Sequence, residues 1–365
     1  MSAPLVLDLD GAVGPLPGAR VLPLRAWQDA VRFGCGVATL ERLARELQPA
    51  LESAHGTVML GSGDFHHLTW PLVRQAAARH GGPLQVVVLD NHPDNMRYPF
   101  GVHCGSWVRR VAALPQVTRV HMVGLCSADA GTRHCWENVL GPLRDGRVHY
   151  WCLGVDTRWA RALGCGHAVH GFADSASLLD AFAARADAAL PVYLSIDKDV
   201  FGEDVARTNW DQGRFQLADA RRLIDELSAP IVASDITGEI SHHRYRQPFK
   251  RLLSALDGQQ PPDPNVLPLW QAGQHALNAA LLPLIAACGT VPMPTTSTDA
   301  APPIDLPRFM GAWHVIAHVP YFGERGHVAS RDEYRLKPGG GIAVHYVYQA
   351  VSYTHLRAHE TEADL

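Results

Sequence analysis

The run Val86-Val87-Val88-Leu89 leads directly into Asp90-Asn91-His92-Pro93-Asp94, a buried-strand signature ending in an acidic turn. The same grammar occurs twice more. Val192 to Leu194 leads into Ser195-Ile196-Asp197-Lys198-Asp199, and Val58 to Leu60 into Gly61-Ser62-Gly63-Asp64-Phe65-His66-His67. Each polar cluster thus stands where an apolar, β-rich strand emerges into a loop, the place where open α/β sheets hold ligands.

Side chains alternate along a strand. Asp90, His92 and Asp94 therefore point one way if strand geometry persists, as do Asp197 and Asp199. Together they supply four carboxylates and one or two imidazoles to one small volume. Four such carboxylates cannot all stay ionised without a compensating cation. Oxygen-dominated ligation with imidazole and no thiolate favours Mn²⁺, with Fe²⁺, Co²⁺ or Mg²⁺ behind it and Zn²⁺ last. The donor count suits two ions per chain sharing bridging aspartates.

Further apolar runs at Leu5 to Leu9, Val120 to Leu125, Val148 to Cys152 and Ile231 to Ile236 alternate with helical patterns at Leu40 to Leu47, Leu178 to Leu190 and Leu217 to Leu227. Alternation of this kind predicts an α/β fold, a three-layer α-β-α arrangement around a mostly parallel sheet, over residues 1–289.

On these three motifs, in this order, the chain resembles the arginase/agmatinase (ureohydrolase) family, whose signatures are Gly-Gly-Asp-His, Asp-x-His-x-Asp and Ser-x-Asp-x-Asp. The resemblance implies the same three-layer architecture. It further implies that Asp90 and Asp197 bridge two metals, with His66 and Asp94 completing one ion and His92 and Asp199 the other. It implies hydrolysis of a C–N bond in a small cationic guanidine or amidine, with a hydroxide shared by the metals as nucleophile. His103, in Phe100-Gly101-Val102-His103-Cys104-Gly105-Ser106, takes the place of the family's proton-shuttling histidine. Glu239, in Asp235-Ile236-Thr237-Gly238-Glu239, takes that of the glutamate holding a guanidinium.

The chain also departs from the family. Phe65 separates Asp64 from the histidines, so that either His66 or His67 could serve as ligand; the continuation Leu68-Thr69 favours His66. Where the family has a Thr-Gly-Thr-Pro loop shaping its pocket, this chain has Thr208-Asn209-Trp210-Asp211-Gln212-Gly213. The substrate pocket is therefore expected to differ from that of arginase or agmatinase. An amide deacetylase of the same superfamily fold and a non-catalytic metal- and ligand-binding domain stay open as alternatives. Asp8-Leu9-Asp10-Gly11 resembles the nucleophile segment of haloacid-dehalogenase-like phosphatases, yet no companion lysine and acids stand out downstream.

Composition changes at 290–303, where four prolines lie among small and polar residues, the pattern of an extended linker. Beyond it, Asp305-Leu306-Pro307-Arg308-Phe309-Met310-Gly311-Ala312-Trp313 resembles the opening of a bacterial lipocalin. Residues 304–350 then read as a truncated, partial antiparallel β segment, too short to close an eight-stranded barrel. Residues 351–365 leave that pattern and read as a translated sequencing adapter, set apart from fold reasoning.

Of the 365 residues, 47% are hydrophobic and 19% charged, which argues against a disordered chain. A net charge of −4 provides no basic field for nucleic acid, and no apolar run is long enough for a membrane span. The N-terminus lacks the basic start of a secretory signal, and the seven cysteines form no Cys-x-x-Cys pair. Reduced thiols and a cytoplasmic location are expected, with homo-oligomerisation left open.

Overall fold

The computed structural model describes residues 2–256, 262–288, 307, 310–314, 327–337, 342–352 and 355–364. The chain divides into two compact units, Met1–Thr295 and Thr296–Leu365.

The first unit is built on nine strands: β1 Leu5–Asp8, β2 Arg20–Pro23, β3 Val58–Gly61, β4 Leu84–Leu89, β5 Val117–Leu125, β6 Val148–Leu153, β7 Val169–Phe172, β8 Val192–Asp197 and β9 Ile231–Thr237. They form one sheet in the order β2-β1-β3-β9-β8-β4-β5-β6-β7, and every pairing is parallel. The strands are near-continuous apolar runs because both faces are covered. Leu5, Leu7, Val86, Val88 and Tyr193 face one core, where Leu40, Leu43 and Leu47 of helix α1 (Val37–Glu52) and Leu72 and Val73 of α2 (Thr69–His80) pack. The intervening Val6, Val87, Leu89, Leu194 and Ile196 face the other. There they meet Leu178 and Phe182 of α3 (Ser175–Ala183), Leu223 and Ile224 of α4 (Leu217–Glu226), and Leu277 and Leu281 of α5 (Leu267–Ala287). This is the expected three-layer architecture. None of the described helices is long and apolar enough to cross a membrane.

Two edge strands, β2 and β7, escape the sequence reading because both are short and only partly covered, so neither shows an apolar run. Helix α3 is shorter than the expected 178–190 pattern. It starts at an Asp174 cap, whose carboxylate accepts from Ser177 N–H, and stops at Ala183. Asp187 then accepts from Ala189 N–H in a turn ahead of Pro191, and a residue preceding proline disfavours helix.

The α3 side of the sheet carries a histidine ladder across β5, β6 and β7. His121 pairs with His149, and Trp151 with His170, with ring centroids 5.5 Å (His121 to His149) and 5.9 Å (His149 to His170) apart. Trp151 Nε1 donates to His121 Nδ1, and Phe182 covers both rings edge-on. Burial lowers all three imidazoles below their ordinary range, helped by the ladder itself and by Arg119 and Arg185; His149 is held at about 4. A folded value below the unfolded one gives stability that is complete above the unfolded pKa and is lost as pH falls toward the folded one. The melting temperature is therefore expected to drop between pH 6.5 and 4 by roughly 2 kcal/mol equivalent, or about 4–8 °C, after allowance for the part-exposure of His149. His149→Gln should flatten this slope in a thermal titration. Coinciding wild-type and variant slopes would place the acid sensitivity elsewhere.

The second unit is a four-stranded antiparallel sheet of Gly311–His314, His327–Leu336, Ile342–Ser352 and His355–Asp364, in that order. Its last strand falls within 351–365, the stretch read from sequence as adapter-like. An open edge strand offers unpaired backbone groups to any extended neighbour, whatever its side chains. The linker expected over 290–303 lies outside the described residues.

Candidate metal centre

Four adjacent strands in the middle of the sheet, β3, β9, β8 and β4, run parallel, so their carboxyl ends share one edge. The three motifs meet there. Asp197 ends its strand, whereas the other candidate ligands lie beyond the strand ends, on turns and loops rather than on continued strand geometry. His66 lies on a 3₁₀ turn, Gly63–Leu68, and Asp199 on another, Lys198–Val200. β4 ends at Leu89, and Asp94 takes φ +44°, a sparsely populated conformation of the kind stored at functional sites.

A narrow cleft of about 30 Å³ is lined by Gly63, His66, Asp90, His92, Asp94, Cys104, Asp197, Asp199 and Trp210. At its centre His66 Nδ1 stands 3.3 Å from Asp90 Oδ2, 2.9 Å from Asp94 Oδ2 and 3.3 Å from Asp197 Oδ2. The other nitrogen, Nε2, lies 3.1 Å from Ser195 Oγ, and that hydroxyl donates its proton to Asp235 Oδ1 at 2.7 Å. Ser195 can then only accept from His66, which places the proton of the neutral ring on Nε2 and leaves Nδ1 as a bare lone pair. A lone pair facing three carboxylate oxygens is repulsive unless a cation lies between them. Consistently, Asp90 Oδ2 is buried with no hydrogen-bond partner among the described residues. Separations near 3 Å also match the cis edges of an octahedron with metal–ligand bonds of about 2.1 Å.

The second group is Asp90, His92 and Asp199. His92 Nδ1 lies 2.9 Å from Asp199 Oδ2 and 3.7 Å from Asp90 Oδ1. Its Nε2 lies 2.7 Å from Asp211 Oδ1, so a carboxylate behind the ring holds the tautomer that points Nδ1 inward. Asp211 also accepts from Asn91 Nδ2, and Asn91 N–H donates to Asp199 Oδ1.

With protons alone, the cluster is electrostatically frustrated. Burial lowers His66 and His92, but the surrounding carboxylates outweigh it and hold both well above the usual imidazole range. Burial and neighbouring acids, Asp90 for Asp94 and Asp197 for Asp199, push both carboxyls up. Asp90 goes the other way: burial raises it, but the neighbouring His66 and His92 imidazoles outweigh that and hold it low. A divalent cation relieves all of these conflicts at once, and the donor set of oxygen and imidazole fits Mn²⁺.

His67 points elsewhere. It is fully buried, lies 4.0 Å from Cys35 Sγ, and burial holds it at about 3. His103 and Glu239 are not brought into the cleft lining. His103 Nδ1 accepts from Gly105 N–H, its ring stacks on Tyr98, and burial holds it at about 4. A shuttle must take up a proton on a free ring nitrogen, and here that lone pair is engaged by the backbone. Glu239, one residue beyond a positive-φ Gly238, forms a buried ion pair with Lys198 and accepts from Asn278. Asp8 pairs with surface Arg25, while Asp10 and Asp64 hold buried Arg32. The Asp8-x-Asp10 segment therefore assembles no phosphatase site.

Sequence reading did not single out Ser195, Asp235 or Asp211 as supports of the histidines. The serine stands inside the quoted Ser-x-Asp-x-Asp motif, and its spacing of two from Asp197 places both on one side of β8. No local signal marks Asp211.

The chain belongs to the arginase family, whose model matches residues 22–237. A lipocalin-like domain model matches residues 304–364. An uncharacterized protein of Thermotoga maritima is 27% identical over 195 residues, which cover 53% of this chain and 62% of that one. Among solved structures, the arginase from Medicago truncatula is 17% identical, with 68% of this chain and 64% of that one covered and a TM-score of 0.43. A hypothetical agmatinase from Burkholderia thailandensis is 15% identical, with coverage of 79% and 88% and a TM-score of 0.43. The chain thus spans less than two thirds of the length of the Thermotoga relative and of the Medicago arginase.

Proposed function

We propose that residues 1–289 form a binuclear metal-dependent hydrolase of C–N bonds in a small guanidine or amidine. The observation that carries this reading is the bare Nδ1 of His66 facing three carboxylates, together with a second histidine and carboxylate set beside it. His66 and Asp94 would hold one Mn²⁺, His92 and Asp199 the other, and Asp90 and Asp197 both. When bound, such a pair lowers the pKa of water and polarises the trigonal carbon.

The chain's own residues then have distinct tasks. Asp94, fixed by the Trp107 indole N–H at 2.6 Å, would be placed to accept a hydrogen bond from the reacting water. Ser195, Asp235 and Asp211 fix the two imidazoles. His103 takes the role of a cap on the 104–106 turn, and Glu239 that of a positioning residue beneath the ligand-bearing Asp197–Asp199 turn.

The deciding experiment offers the Mn²⁺-loaded protein guanidines, amidines and acylated polyamines, with urea, ammonia and acetate measured as products. Urea or ammonia is expected. Acetate alone would replace this reading by an amide deacetylase, and tight binding without turnover by a binding domain.

A further inference from the structure

We infer that Trp210 is the specificity-determining residue of the cleft, its indole receiving the planar cationic group of the substrate. The inference rests on the guanidine or amidine reading above. A carboxylate is the obvious partner for such a cation, yet Glu239 is engaged by Lys198 and Asn278 and does not line the cleft. The carboxylates that do line it, Asp90, Asp94, Asp197 and Asp199, belong to the metal cluster. Apart from the two candidate ligand imidazoles, Trp210 is the one aromatic side chain among the described lining residues, and no lysine or arginine is among them to repel a cation. An aromatic face attracts a desolvated guanidinium or amidinium through its quadrupole.

Its loop holds the ring in place rather than leaving it to adapt. Asn209 exchanges two hydrogen bonds with the backbone of Ser241, each 2.9 Å. Gln212 donates to the carbonyls of Phe201 and Ala206, and Asp211 ties the loop to Asn91 and His92. Phe33 lies nearly parallel to the indole with centroids 6.2 Å apart, and the His92 ring meets it at 68°. Gly63 packs closely against the indole edge: a Cβ there would stand 3.2 Å from both Asp197 Oδ2 and Trp210 Cδ1, so any larger residue would press on the ring and on the cluster. The indole edge therefore lies beside Asp197 at the rim of the metal cluster, within the cleft lining. Preorganised aromatic contact of this kind favours charge and planarity over hydrogen-bonding pattern.

The test compares methylguanidinium with its neutral isostere methylurea, by calorimetric titration of the Mn²⁺-loaded full chain; if methylguanidinium is turned over, its KM replaces the dissociation constant. Trp210→Leu, which keeps apolar bulk without the quadrupole, is expected to weaken methylguanidinium about 5- to 30-fold and methylurea less than about 2-fold, with the Mn²⁺ content unchanged. Trp210→Phe should retain most of the discrimination. Equal losses for both probes, or a loss below 2-fold for the cation, would overturn the role of Trp210 while leaving the guanidine reading intact. Failure of the wild type to bind methylguanidinium at all would overturn that reading, and this inference with it.

Discussion

Dialysed protein loaded with Mn²⁺ is expected to hold close to two ions per chain, and Asp197→Ala is expected to lose both. Asp197 lies 3.3 Å from His66 Nδ1 through Oδ2, and its Oδ1 accepts from Asp199 N–H, so its removal disturbs both groups of donors. His66→Ala should lower affinity on the order of 100-fold or more, the upper range seen when even supporting groups of a metal ligand are removed. His67→Ala should leave the stoichiometry unchanged, because that ring faces Cys35 and not the cleft. Elemental analysis and competition with a chelator decide the matter. If His67→Ala loses more metal than His66→Ala, the ligand has been assigned one residue too early. Ligands bind metal in their deprotonated form, so affinity should also weaken as pH falls through the range in which the two cleft imidazoles gain protons.

The second large effect concerns Lys198 and Glu239. Both side chains are almost completely buried, and each is the other's charge partner. Burial lowers the lysine and raises the glutamate, while the mutual attraction holds both charged. Breaking such a pair from one side leaves an uncompensated charge and typically costs about 3–5 kcal/mol. Lys198→Met or Glu239→Gln is therefore expected to lower the melting temperature by on the order of 10 °C. The double variant Lys198→Met/Glu239→Gln should recover at least half of that loss. If Glu239 instead held the substrate's cation, Glu239→Gln would raise KM at unchanged melting temperature. Thermal melts alongside steady-state kinetics separate the two.

The central site was legible because its proposed ligands follow strong apolar runs. Val86 to Leu89 and Val192 to Leu194 announce their strands, and the acids follow at once. Alternation along those runs could not say how the acids converge, because the strands stop and turns take over at Asp94 and Asp199. Asp211 was quoted with its loop but not as a support, since its role depends on a 2.7 Å contact with a residue 119 positions away. The same holds for Glu239: sequence places it after a strand, and only packing against Lys198 and Asn278 shows where its charge goes. Edge strands β2 and β7 were invisible for a simpler reason, having too little buried surface to enforce an apolar pattern.

The order of the sheet has a consequence for synthesis. Val58 of β3 pairs with Asp235 of β9, and Gln85 of β4 with Val192 of β8, so the strands framing the cleft come from distant parts of the chain. Such non-local pairings form late, after the loop-closure entropy between them has been overcome. A nascent chain that has not yet delivered residues 192–237 from the ribosome carries His66, Asp90, His92 and Asp94 with half of the cradle missing. On the proposed function, ion capture would then wait for the completed sheet, because β3 and β4 come together only through β9 and β8.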